Sequence, residues 1–226
     1  MSQVSSLVAA IQSNLRTAGI SYGTASAVHD VYEGFLFSLV VLTAASCGGT
    51  IRYSTVRGTS VSELVFRTSP GRLYSTTHDY THAVLEFGRA PALEVHLGVR
   101  VLGSSGVLHE CDVLVLESGE AEWSRANRAD PRSSKCLLAV ECKYYTVPLP
   151  LSMARGFVGL RADLSGAKTV FVANAGTASV NRFLNARADG YEFGVLPDTD
   201  QSNYFRSIVR NAYKAHTSRH DPGYEI

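Results

Sequence analysis

The segment VLHECDVLVLE, residues 107–117, constrains the fold more than any other. Side chains alternate along a strand. Leu108, Glu110, Asp112, Leu114 and Leu116 therefore share one face, and Val107, His109, Cys111, Val113 and Val115 the other. Toward the C-terminal end both faces are apolar. A strand apolar on both faces has to be covered on both, which predicts a central strand with a layer of structure on each side. A second apolar run, LLAV at residues 137–140, reads as another core strand and ends in Glu141, Cys142 and Lys143. Charge at the end of a core strand is costly unless it is paired, wet or bound to a metal.

The rest of the chain fits an α/β arrangement. Apolar residues at Val4, Leu7, Val8, Ile11 and Leu15 have helical spacing, which predicts an N-terminal helix within residues 1–24. A second helix is expected over about 25–45; it is nearly apolar along FLFSLVVLTAA and stopped by Gly48-Gly49. TIRYSTV, SELVFRT, DYTHAVLEF and ALEVHLGVRVL read as strands, the last forming an antiparallel hairpin with residues 107–117. Residues 117–135 read as a polar loop. After the strand at 137–143, helix, strand, helix, strand and helix follow, and the last ten residues read as a loose tail. A hairpin feeding such crossovers implies one mixed central sheet flanked by helices. At 226 residues, one domain over 1–226 is expected, with residues 50–106 as an extra β-rich segment that could serve dimerisation, specificity or a partner.

Composition narrows the function classes. The apolar run EGFLFSLVVLTAASC is broken by Ser38 and Thr43 and reads as too short and mixed for a bilayer, and the N-terminus lacks a signal-peptide pattern. No membrane partner and a cytoplasmic location are the resulting expectations. Cys47, Cys111, Cys136 and Cys142 show no CxxC spacing and read as buried reduced thiols. There is no GxGxxG and no P-loop. Net charge is only +1, but it is unevenly spread: residues 1–124 carry 7 basic and 11 acidic residues, residues 125–168 carry 8 and 3. The basic stretch holds Glu141 and Lys143. It offers Arg125, Arg128, Arg132, Lys135, Arg155, Arg161 and Lys168 as phosphate contacts, or simply as a solvated face.

By alternation Glu141 and Lys143 share a face, so if their strand lies beside the first, Asp112, Glu141 and Lys143 can meet. Two converging carboxylates repel, a divalent cation relieves this, and oxygen donors suit Mg²⁺ or Mn²⁺. A nearby lysine can orient or deprotonate a water, or neutralise charge developing on a phosphate. Each residue also has a structural reading: Glu141–Lys143 as an ion pair, Asp112 as a pairing or turn residue. His78 and His82 have ligand-like spacing for a helix, but their segment reads as strand.

Asp112 followed downstream by Glu141-x-Lys143 on a neighbouring strand resembles the PD-(D/E)xK nuclease superfamily, and ECKYY with the helices and strands after it looks most like its Mrr-like restriction endonuclease branch. The resemblance covers roughly residues 25–200, without the proline of the superfamily's name before Asp112. It implies a restriction endonuclease-like core with catalytic Asp112, Glu141 and Lys143, and Glu33 of the apolar helix joining the site. It further implies Mg²⁺ or Mn²⁺ on Asp112, Glu141 and Glu33, DNA as substrate, and a homodimer or higher oligomer able to cut both strands. The expected role is a restriction or antiphage-defence nuclease, with or without a defence-system partner protein. A repair nuclease such as a junction resolvase, or a non-catalytic nucleic-acid-binding subunit on the same fold, are the alternatives.

Overall fold

The computed structural model describes residues 2–16, 19–187, 190–221 and 223–226. In chain order it contains α1 (Gln3–Leu15), β1 (Gly19–Ile20), α2 (Val28–Ser46), β2 (Thr50–Thr55), β3 (Glu63–Leu64), β4 (Thr81–Glu86), β5 (Leu93–Leu102) and β6 (Leu108–Glu117). These are followed by α3 (Ser118–Asn127), a 3₁₀ turn at Ser133–Lys135, β7 (Cys136–Lys143), α4 (Leu151–Asp163), β8 (Lys168–Ala173), α5 (Ala178–Arg187), β9 (Tyr191–Phe193) and α6 (Asp200–His220). Seven strands form one mixed sheet in the order β2-β4-β5-β6-β7-β8-β9. The β2 to β7 pairs are antiparallel; β7-β8-β9 are parallel. This is the α/β class expected, and β6 is the middle strand of the seven.

Helices cover both faces. α1, α2 and α6 close one core with Leu7, Ile11, Phe35, Phe37, Phe205 and Tyr213 against Val95, Val113, Val115, Val140 and Val170. On the other face Ala121 of α3 and Leu164 after α4 meet Leu114, Leu116 and Ala139, while Phe157 of α4 and Leu184 of α5 pack on Phe171. α2 is buried nearly all round because its residues are apolar nearly all round. Its interior hydroxyls are satisfied locally: Ser38 donates to the Phe35 carbonyl and Thr43 to that of Leu39.

Several expectations are corrected. The α2 helix, 19 residues with a most apolar 18-residue stretch of mean hydropathy 1.3, is long and apolar enough to cross a bilayer, contrary to the reading of its broken run; here 67% of that stretch is buried inside the fold. Residues 50–106 are no appendage, since β2, β4 and β5 make up the antiparallel half of the main sheet. SELVFRT yields only the two residues of β3, paired with β1 in a separate two-stranded sheet. The expected polar loop 117–135 contains α3, whose buried face is Glu120, Ala121 and Ser124. Glu120 is buried because Arg132 binds its carboxylate through side chain and backbone, a partner that helical periodicity of apolar residues does not reveal. α6 also runs on to His220, taking in the start of the expected tail. Within the expected N-terminal span 1–24, Met1, Thr17 and Ala18 lie outside the described residues.

Candidate functional site

Two departures from ideal sheet geometry place Asp112. On the β5 side, Leu97 pairs with Val113 and Val99 with Cys111, with no pair between them at Gly98 and Asp112. Gly98 has φ +57°, a conformation that suits glycine. Side-chain direction slips there on both strands: Leu97 and Val113 pack with the α2 core, whereas Val99 and Cys111 pack with Leu114 and Leu116 on the other face. Strict alternation, which puts Cys111 on the side of Val113, therefore fails at Asp112. On the β7 side, Val113↔Val140 is the last pair of the antiparallel ladder. Beyond it the Cys142 N–H finds no strand partner on β6 and donates instead to Asp112 Oδ2 at 2.7 Å. The carboxylate fills the opening between parting strands.

Glu141 and Lys143 meet it there, as expected. Lys143 Nζ lies 2.7 Å from Glu141 Oε1 and 3.4 Å from Asp112 Oδ2. Glu33 of α2 and Glu110, which is exposed at the rim, lie within the same electrostatic field. Burial pushes the Asp112 carboxyl up, and Lys143 and the Cys142 N–H only partly oppose it. Glu141 is raised by burial and then by Asp112. Glu33 is pushed up to about 9 by burial, Asp112 and Asp30. Burial works against the Lys143 charge, but Asp112 and Glu141 overcome it and raise its pKa, so the ammonium stays protonated. Four carboxyl groups thus share one ammonium, and none of the four is fully stabilised as an anion.

The donor chemistry fits a hard divalent cation: carboxylate oxygens, excess negative charge and an opening between strands. Asp112 and Glu141 are held together through Lys143, with Glu33 and Glu110 at greater remove. Among the described residues, Glu33, Asp112 and Glu141 do not close to within 4.8 Å of one another as a three-ligand set. The buried Tyr32 hydroxyl, which has no hydrogen-bond partner among the described residues, lies beside this region, its ring edge-on to Tyr144 at 5.4 Å. Tyr144 packs, and Tyr145 is held by its backbone to Asn174. His109 pairs with Asp163 of α4 and stays outside the site.

The expected basic contacts are not gathered here. Arg125 forks onto Glu94 at 2.6 and 2.9 Å, Arg132 onto Glu120, and Arg161 reaches the Arg187 carbonyl. Lys135 pairs with Glu117 and, with Lys168, lines a cavity of about 510 Å³ under α6 at the start of β7. That is a strand length, roughly 20 Å, from Lys143. Arg155 is exposed on α4. Arg128 alone of the seven lines a basic cleft, with Arg72 and Arg100. Proximity in sequence fails because Arg125 and Arg132 are taken up by carboxylates and the length of β7 separates Lys135 from Lys143.

Sequence reasoning misses a second buried ionic cluster. His82 of β4 and Glu94 and His96 of β5 meet between sheet and α3, with Glu94 Oε2 3.3 Å from His82 Nε2 and 2.8 Å from His96 Nε2. The imidazoles stack at 4.6 Å. Burial lowers both histidines, His82 to about 3, leaving them neutral. Burial opposes the Glu94 charge too, yet Arg125 and His96 hold its carboxyl far below the ordinary range. The three donors lie within 4.8 Å of one another and could hold a metal of the imidazole-binding kind, but Arg125 already supplies the counter-charge. The one legible signal is Glu94-x-His96 on one face of a strand; His78 is exposed and stacks edge-on with Tyr80 instead of joining His82. Comparison of the chain with protein-family profiles, curated proteins and solved structures finds no match.

Proposed function

We propose that the chain is a metal-dependent nuclease of the PD-(D/E)xK kind, built on a restriction endonuclease-like core and hydrolysing phosphodiester bonds in DNA. The observation that carries this reading is the convergence of Asp112, Glu141 and Lys143 where β6 and β7 part, with more buried carboxylate than Lys143 can neutralise. Asp112 and Glu141, with Glu33, would hold Mg²⁺ or Mn²⁺. Bound there, such a cation polarises a phosphate oxygen and makes its water more acidic. Lys143 is charged and fixed by two carboxylates. It serves as a hydrogen-bond donor that positions the attacking water or meets charge building on the phosphate, not as a base. Cytoplasmic action in restriction or antiphage defence, with a homodimer bringing two sites to two strands, belongs to the same reading.

The test is cleavage of supercoiled plasmid with Mg²⁺ or Mn²⁺ and its absence in EDTA. Lys143→Ala is expected to lower the rate at least about 10²-fold, the usual scale for losing one such group, while circular dichroism stays that of the wild type. A wild-type protein that binds DNA and cuts neither DNA nor RNA points to the non-catalytic binding subunit. A fully active Lys143→Ala removes the lysine from the mechanism.

A further inference from the structure

The cleft of about 670 Å³ beside β5 is lined by Arg72, Tyr74, Thr76, Thr77, Arg100 and Arg128 among others, and among the described residues no acidic one lines it. Elsewhere the arginines of this chain are commonly spent on carboxylates: Arg52 on Glu86, Arg57 on Asp79, Arg125 on Glu94, Arg132 on Glu120. Arg72, Arg100 and Arg128 form no ion pair among the described residues; Asp130 is the acid whose field reaches Arg72. Arg72 and Arg128 are held on one aromatic ring, and Arg100 is held through its backbone. Tyr74 is buried between two guanidiniums, with Arg72 5.7 Å and Arg128 5.5 Å from its ring centre, and Arg72 also donates to its hydroxyl. The loop that carries Arg72 is tied to β5, since Gly71 N–H donates to the Gly98 carbonyl and Arg100 N–H to that of Gly71.

The cleft adjoins the carboxylate site. Arg100 stands directly opposite Glu110 in the β5–β6 ladder, and opposed residues of an antiparallel pair project to the same face. Glu110 in turn feels Asp112, Glu141 and Arg100. Guanidiniums, two of them held on Tyr74, with hydroxyls and a lining free of carboxylates suit a phosphodiester, and Tyr74 is too buried to stack a base.

We propose that Arg72, Arg100 and Arg128 grip the phosphodiester backbone of the nucleic acid and lead it, without reading bases, to the carboxylates at Glu110 and Asp112; this rests on the nuclease reading above. The contact is electrostatic and independent of base sequence. Arg128 has φ +50°, so its replacement is asparagine, which tolerates that conformation.

The test is fluorescence anisotropy of a labelled DNA duplex and an RNA duplex of the same length, in Ca²⁺, across a salt series. Wild type is compared with Arg72→Gln, Arg100→Gln, Arg128→Asn, their triple combination, and Arg182→Ala as an exposed arginine elsewhere. The triple variant is expected to bind at least about tenfold more weakly, with the slope of log affinity against log salt smaller by about 2–3. Arg182→Ala should stay within about twofold, as for a residue making no phosphate contact. The duplex whose binding weakens identifies DNA or RNA as the source of the backbone. Unchanged affinity and slope in the triple variant, or no binding of either duplex by wild type, overturns the proposal. Plasmid cleavage is assayed in parallel. Binding that depends on the three arginines without cleavage leaves this inference standing and removes the nuclease; cleavage with unaffected binding does the reverse.

Discussion

Two buried ionic clusters sit on one sheet and end in opposite states. Around Glu94, a guanidinium and two neutral imidazoles meet one carboxylate, and its pKa falls far below the ordinary range despite burial. Around Asp112, four carboxyl groups meet one ammonium, and all four are raised. The first cluster is complete within the chain: hydrogen bonds and charge are matched, so it ties α3 to β4 and β5. The second is matched only if positive charge arrives from outside. Burial alone does not mark a functional site, since Glu94 and Asp112 are both nearly inaccessible. What separates the two is leftover charge, which is what the proposed function rests on.

The contrast can be broken from its strongest side first. Arg125→Ala strands the Glu94 carboxylate and is expected to cost about 3–5 kcal/mol in urea unfolding, the scale for removing one partner of a buried pair. A loss below about 1 kcal/mol would mean that the cluster is not the tie described. Next in size is metal linkage at the second cluster. Mg²⁺ or Mn²⁺ at about a hundred times its Kd should stabilise the wild type by about 2.7 kcal/mol and leave Asp112→Asn unmoved in the same melt. Equal shifts in both proteins would place the metal elsewhere. The third test is the pH dependence of Glu33. Its carboxyl is raised from 4.5 to about 9, so the folded chain holds the proton that the unfolded chain releases. Its contribution is whole below pH 4.5 and is lost as pH rises toward 9. In EDTA, wild type should therefore lose stability over that range relative to Glu33→Gln. Glu94 has the opposite sign, with stability present above 4.5 and lost as pH falls. A flat difference between wild type and Glu33→Gln would remove Glu33 from the coupled cluster.

Much of the second cluster is legible in the amino-acid sequence alone. Asp112 on a doubly apolar strand, Glu141 and Lys143 at the end of another, and Glu33 in an apolar helix are each charges in the wrong company, and such residues need one another. The first cluster is illegible because its members satisfy one another across β4, β5 and α3, and a matched set leaves no single residue conspicuous. The phosphate contacts mislead for a related reason. Arg125 and Arg132 look free in a polar stretch, but Glu94 and Glu120 are buried and had to find cations. Arg72 and Arg100, from an acidic half of the chain, are the ones that form no ion pair beside the site, among the described residues.

Periodicity and apolar runs, which are local properties, determined most of the elements, the α/β class and the central place of β6. They also determined that Asp112, Glu141 and Lys143 carry charge that a core cannot hold alone. Only the tertiary structure decided where that charge goes. The slip of side-chain direction at Gly98 and the parting of β6 and β7 after Val113↔Val140 opened the space into which Asp112 turns. Both are relations between strands distant in sequence, and the physical reason they are invisible locally is that a backbone hydrogen bond is lost or kept by its partner strand, not by the residue that bears it.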